Sequence, residues 1–85
     1  MPLTTDQETA ATITAARPYG YEAETNGTPA FIDQAKHPSW WSPDVAAPQV
    51  GDRLHTVVLD GSRTPPRLSA LRKDIEIPRA PRSTG

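Results

Sequence analysis

The chain has 85 residues, a formal net charge of −1, ten prolines, five glycines and no cysteine. This length holds one small domain, and the missing cysteine excludes a disulfide framework and any thiolate metal centre. Only fourteen Val, Ile, Leu and Phe residues are available for a core, yet the low net charge argues against compositional disorder.

Charge is unevenly distributed. Residues 1–50 carry two basic and six acidic groups, whereas residues 51–85 carry seven basic and four acidic ones. This asymmetry points to a basic face that the overall balance hides. Apolar runs such as Val57-Val58-Leu59 are far too short to cross a membrane as a helix. The opening Met1-Pro2-Leu3-Thr4-Thr5-Asp6 lacks the basic flank and apolar stretch of a secretory signal, so a cytoplasmic location is expected.

Met1 to Glu8 is polar and aperiodic and is expected to be a loose tail. From Thr9, Ala11, Ile13 and Ala15 alternate with threonines, predicting a first strand that ends near Arg17-Pro18. Tyr21–Thr25 and Thr28–Asp33 flank Asn26-Gly27, the preferred centre of a type I′ hairpin turn. They are predicted as strands two and three. Pro38, Pro43 and Pro48 break residues 34–49, leaving an irregular connection with one helical turn. Arg53 to Asp60 is the clearest strand, with Leu54, Thr56 and Val58 on one face and His55, Val57 and Leu59 on the other. Gly61 to Pro66 is a loop, and Arg67 to Leu71 a fifth short strand. The four-residue spacing of Leu71 and Ile75 predicts a brief helix before Pro78, and residues 78–85 form a Pro/Arg/Ser/Thr tail.

The expected fold class is therefore all-β. Five strands with a long connection between the third and fourth describe a small OB-fold barrel over residues 9–77, with a short C-terminal helix.

Three stretches carry a further resemblance: ATITAARPYGYEAE, GTPAFID, and VGDRLHTVVLD followed by PPRLSAL. In order and spacing they resemble the S-one-type RNA-binding domain across about three quarters of the chain. The first resembles the family's opening strand and its aromatic-Gly step into strand two. The third resembles its Val-Gly-Asp opening, its alternating fourth strand and its Arg ahead of Leu-Ser. The resemblance implies a non-enzymatic module that binds single-stranded RNA, on a ribosome or another RNA assembly, with a ribosomal or other protein partner alongside.

Tyr19, Tyr21 and Phe31 form the expected stacking platform, since bases stack on aromatic faces. Tyr19 and Tyr21 lie two apart, which in an ideal strand puts them on one face. Arg67 falls where the family's arginine meets the nucleic-acid backbone. Arg53 and Arg63 are expected to line the same groove, because a guanidinium offers paired donors to phosphate. Lys36 and His55 are weaker candidates, and His55 is expected outside the barrel.

A second reading is a protein–protein interaction module on the same barrel. It rests on Trp40-Trp41 and on Glu22, Glu24 and Asp33, carboxylates on the expected RNA face that repel phosphate. One tryptophan is expected to plug the open end of the barrel and the other to meet a partner protein or a base. Catalysis is not expected. The two histidines, His37 and His55, have no metal-ligand spacing, no Gly-rich phosphate loop occurs, and the serines lack a recognisable base. No cofactor or metal is implied.

Overall fold

The computed structural model describes residues 3–79, with side chains through Glu76. Five strands, β1 (Glu8–Arg17), β2 (Gly20–Thr25), β3 (Thr28–Asp33), β4 (Arg53–Asp60) and β5 (Arg67–Ser69), form a closed barrel in the order β1-β2-β3-β5-β4. All neighbours are antiparallel except β3 and β5. This is the all-β, OB-like architecture expected from the strand pattern.

Closure depends on β1, the longest strand. Its first half pairs with β4, from Glu8 opposite Val57 to Thr12 opposite Arg53. Its second half pairs with β2, from Thr12 opposite Glu24 to Arg17 opposite Gly20. The register shifts between Ile13 and Ala15, a bulge that bends the strand so that it serves both neighbours. At the β2–β3 turn, Asn26 (φ 51°) and Gly27 (φ 79°) both adopt positive φ, as a type I′ hairpin requires.

The barrel interior is small. Ala11, Ala23 and Ala30 let the strands approach, while Leu3, Ile13, Ile32, Val58 and Leu68 fill the remaining volume. Tyr21 and Leu54 pack against this cluster. Buried hydroxyls are satisfied in place: Thr56 Oγ1 donates to the Thr9 carbonyl at 2.8 Å, and Thr9 and Thr25 share a hydrogen bond. On the outer face of β4, Val57 is also buried, where helix α2 (Arg72–Arg79) packs against the strand; Leu71 and Ile75 are buried with it.

The connection from β3 to β4 contains a 3₁₀ turn (Gln34–Lys36) and a single turn of helix, α1 (Pro38–Trp41). The Asp33 carboxylate caps the first by accepting from Ala35 N at 3.0 Å. His37 Nδ1 caps the second by accepting from Ser39 N at 3.1 Å. Helix α2 is tied down through Asp74, which accepts from Ser69 Oγ (2.7 Å) and Lys36 Nζ (3.3 Å).

Four expectations change. Residues 3–7 are not a loose tail: Leu3 joins the core, and Asp6 N and Gln7 O bond Val58 O and Val58 N at 2.7 and 2.8 Å. A lone leucine in a polar segment has no periodicity to announce it. Strand β5 ends at Ser69 rather than Leu71, because Ser69 Oγ accepts from Leu71 N and turns the chain into α2. That helix continues through Pro78 to Arg79. Neither tryptophan plugs the barrel: Trp40 is 54% and Trp41 65% exposed. Of the expected C-terminal tail, residues 80–85 lie outside the described residues. Among the described residues no helix is long and apolar enough to cross a membrane.

Candidate nucleic-acid interface

The alternation of β3 sends Ala30 and Ile32 into the core and Phe31 to the outer face. Register then decides what surrounds Phe31. It lies opposite Glu22 on β2 and opposite Arg67 on β5. The Arg67 guanidinium carbon consequently sits 4.7 Å from the Phe31 ring centroid, in cation–π range.

Tyr19 reaches the same place by another route. Arg17 pairs with Gly20, so Pro18-Tyr19 is a two-residue connection between β1 and β2. From there the Tyr19 ring stacks on Phe31, with centroids 5.7 Å apart and planes at 28°. Gly20 makes this possible. A Cβ at that position would lie 2.4 Å from Phe31 Cζ and 2.5 Å from the Ile32 carbonyl oxygen. The aromatic-Gly step of the sequence is therefore a packing requirement: the glycine is the floor on which Phe31 lies.

The result is a cleft of about 540 Å³ bounded by Tyr19, Phe31, Arg67, Glu22, Asp33 and Thr14, with Pro29 and Pro65 at its margins. The two rings have different duties. Tyr19 is 59% exposed and presents a free face, whereas Phe31 is 7% exposed and backs it. Arg67 forms no ion pair among the described residues, and its Nε is buried without a hydrogen-bond partner. A buried donor left in this state lacks an acceptor that a ligand can supply.

The carboxylates of the cleft are already engaged. Glu22 accepts from Arg17 Nε at 2.6 Å, an ion pair that raises the guanidinium pKa still further above its ordinary value. One Asp33 oxygen is held by Ala35 N. Nearby, Asp60 pairs in register with Arg67, and hydrogen bonds from Ser62 Oγ (2.6 Å) and Ser62 N (3.0 Å) hold its carboxyl below the usual carboxylate range. A second groove of about 370 Å³ adjoins the first, sharing Asp33 and Arg67 and adding Lys36 and Arg63.

The six expected contact residues thus separate. Tyr19, Phe31 and Arg67 converge on one cleft, and Arg63 lines the groove beside it. Tyr21 does not share the face of Tyr19. It lies inside β2 and packs on the core, its ring 6.1 Å from that of buried His37, because Tyr19 belongs to the turn and not to the strand. Arg53 is not in the groove either. It begins β4, opposite Thr12, whereas Arg67 meets Asp60 at the strand's end. At about 3.3 Å per residue the two ends lie roughly 23 Å apart. His55 is exposed outside the barrel, as expected, and is paired with Glu8 at 2.7 Å. Two participants escaped the sequence reading. Thr14 enters the cleft at the β1 bulge, and Arg17 reaches Glu22 across the tight β1–β2 turn. The two-residue gap between Arg17 and Gly20 was the legible signal for the second. Among the described residues no group of three or more His, Cys, Asp or Glu side chains is placed to hold a metal ion.

Solved structures that share this fold include the following two. One is an uncharacterized protein from Methanocaldococcus jannaschii, with TM-score 0.67 and 11% identity, covering 85% of this chain and 97% of that one. The other is a multidomain protein with nucleic acid binding domains from Streptococcus pneumoniae TIGR4, with TM-score 0.64 and 20% identity over 84% of this chain. This chain spans 25% of the streptococcal protein. No protein-family model matches the sequence, nor does any curated protein. At these identities the likeness is one of fold.

Proposed function

We propose that this barrel is a non-enzymatic module of S-one type that binds single-stranded nucleic acid, RNA in particular, across the β2–β3–β5 face. The observation that carries the reading is Arg67: a cation stacked on Phe31, without an ion pair among the described residues, its buried Nε lacking an acceptor beside the open ring of Tyr19. A base laid on Tyr19 gains stacking energy, typically about 1–3 kcal/mol. A phosphate or base oxygen placed at Arg67 satisfies the orphaned donor and gains a charge-assisted hydrogen bond. Arg63, in the adjoining groove, is positioned to meet the next phosphate.

Further support comes from the occupied carboxylates. Glu22 and Asp33 would repel a phosphate if bare, but Arg17 offsets the first and the 3₁₀ turn engages the second. The streptococcal protein of the same fold, described as having nucleic acid binding domains, agrees with this reading.

Fluorescence anisotropy with labelled oligouridylate and oligothymidylate tests it. Arg67 and Arg63 together neutralise two phosphates, so log affinity should fall with log salt at a slope of about −1.4, from −0.7 per single-strand contact. Arg67→Ala should flatten the slope to about −0.7. A slope near zero, or one that Arg67→Ala leaves unchanged, refutes the proposed backbone contact.

A further inference from the structure

We infer that the groove between α1 and α2 docks an acidic protein segment carrying one apolar anchor, at a site separate from the nucleic-acid face. The groove holds about 370 Å³ and is lined by Pro38, Trp41, Ser42, Leu71, Arg72 and Lys73. None of these residues borders the Tyr19–Arg67 cleft or the groove beside it.

Its floor is apolar and fixed. Leu71 is buried, and Pro38 opens α1. Trp41 remains 65% exposed, yet its Nε1 donates to the Ala35 carbonyl at 2.8 Å, which holds the indole in one orientation. A large ring presented to solvent in a preset pose loses little entropy on contact, which is why tryptophan dominates the energetics of many interfaces.

Its rim is positive. Arg72 and Lys73 begin α2, where the helix dipole adds to their charge. Lys73 forms no ion pair among the described residues. The Arg72 side chain is 89% exposed, and its contact with Glu76, 3.4 Å and one turn along, is a weak surface pair. The one acidic group of the first turn, Asp74, is turned away to Ser69 and Lys36. An apolar floor with an exposed, weakly compensated positive rim fits a leucine or phenylalanine flanked by Asp and Glu.

The same charge argues against other occupants. Residues 79–85 of this chain carry Arg79 and Arg82 and no acid, the wrong sign for this rim. A symmetric pair of copies would set Arg72 and Lys73 against their own equivalents. Outside Trp41 the floor offers Leu71 and Pro38, which provide no second ring for a nucleic-acid base.

The test is a titration of the isotope-labelled full chain, followed at the Trp41 indole N–H and the amides of Leu71, Arg72 and Lys73. Four probes are compared: a nonapeptide of Asp and Glu around a central Phe, the same peptide with Lys for the acids, the same with Ala for Phe, and oligouridylate. Saturable shifts at these four signals from the first peptide alone are expected. Trp41→Ala should weaken binding at least tenfold. The charge reversal Arg72→Glu with Lys73→Glu should do the same without touching the apolar floor. Tyr19→Ala and Arg67→Ala should leave the peptide affinity within twofold. The inference is overturned if the lysine peptide binds equally, if the alanine peptide binds as well as the phenylalanine one, or if no peptide shifts Trp41. It is overturned in favour of a second nucleic-acid contact if oligouridylate moves Trp41 and the acidic peptide does not.

Discussion

Gly20→Ala offers a severe test of how the cleft is built, because two physical effects predict opposite signs. Gly20 is a strand residue without positive φ, so an alanine that fitted would stabilise the fold by about 0.4–1 kcal/mol through the unfolded chain. The structure says it does not fit. The new methyl would stand 2.4 Å from Phe31 Cζ and 2.5 Å from the Ile32 carbonyl oxygen. The first obstacle is a ring edge that can tilt, but the second is backbone in the adjacent strand. Overpacking of this kind costs about 1–3 kcal/mol, and the backbone clash puts Gly20→Ala in the upper half of that range. For a domain of this size, about 2 kcal/mol lowers Tm by roughly 8–16 °C. Urea unfolding followed by far-ultraviolet circular dichroism measures the change, with an unchanged m-value confirming that stability alone has moved. Repeating it in a Phe31→Ala background isolates the ring. The penalty should shrink there, leaving the Ile32 contribution, with a coupling of about 0.5–2 kcal/mol. An unchanged or raised midpoint for Gly20→Ala would refute the account of Gly20 as the floor beneath Phe31.

Other consequences follow from the polar contacts. Asp74→Ala removes the acceptor of buried Ser69 Oγ and of Lys36 Nζ, and should destabilise the fold by about 1–3 kcal/mol in the same urea assay. Burial by itself would raise the Asp74 carboxyl, but the bonds from Ser69 and Lys36 outweigh it and hold the pKa below the ordinary value. The unfolded chain therefore binds the proton more tightly, so Asp74 contributes stability above the usual carboxylate pKa that is lost as pH falls through the depressed one. The acid limb of the stability profile should flatten in Asp74→Ala. His37 acts in a second window. Burial lowers its pKa, offset in part by Asp52, and its Nδ1 accepts from Ser39 N, which needs the neutral ring. Stability should fall as pH drops below about 6.5, where the unfolded histidine protonates first. His37→Gln should abolish that slope, and an unchanged profile between pH 7 and 5 would contradict it. Tyr19→Ala, by contrast, should change the unfolding free energy by no more than about 0.5 kcal/mol, because the ring is mostly exposed.

Much of the barrel was legible because its strands carry two-residue alternation and its main hairpin carries Asn26-Gly27, signals that local chemistry generates. The closed five-stranded barrel was reached from strand count and the long connection alone. What escaped depends on contacts distant in sequence. Leu3 reaches the core only because Asp6 and Gln7 bond Val58, and a single apolar residue has no period. The site followed the same division. Phe31 and Arg67 were legible as residue types, but their juxtaposition comes from the parallel β3–β5 register. Tyr21 was misplaced because alternation was carried one residue back beyond the start of β2, into a turn where it no longer holds. Arg53 was misplaced because charge type says nothing of position along a strand. One of Trp40 and Trp41 was expected to plug the barrel on hydrophobicity alone, but the proline-broken connection leaves both on a single helical turn at the surface.

The central claim is that single-stranded nucleic acid lies on the Tyr19–Phe31–Arg67 face. The most direct measurement is a ¹H–¹⁵N titration of the full chain with short RNA and DNA oligomers, at low and then moderate salt. The account predicts shifts concentrated at residues 19–22, 30–33 and 63–68, with the Arg67 Nε–H among the largest, weakening as salt rises. It predicts stronger shifts with RNA and none specific to Arg53. A well-dispersed spectrum that neither oligomer perturbs, or shifts centred on the other end of β4 around Arg53, would contradict it.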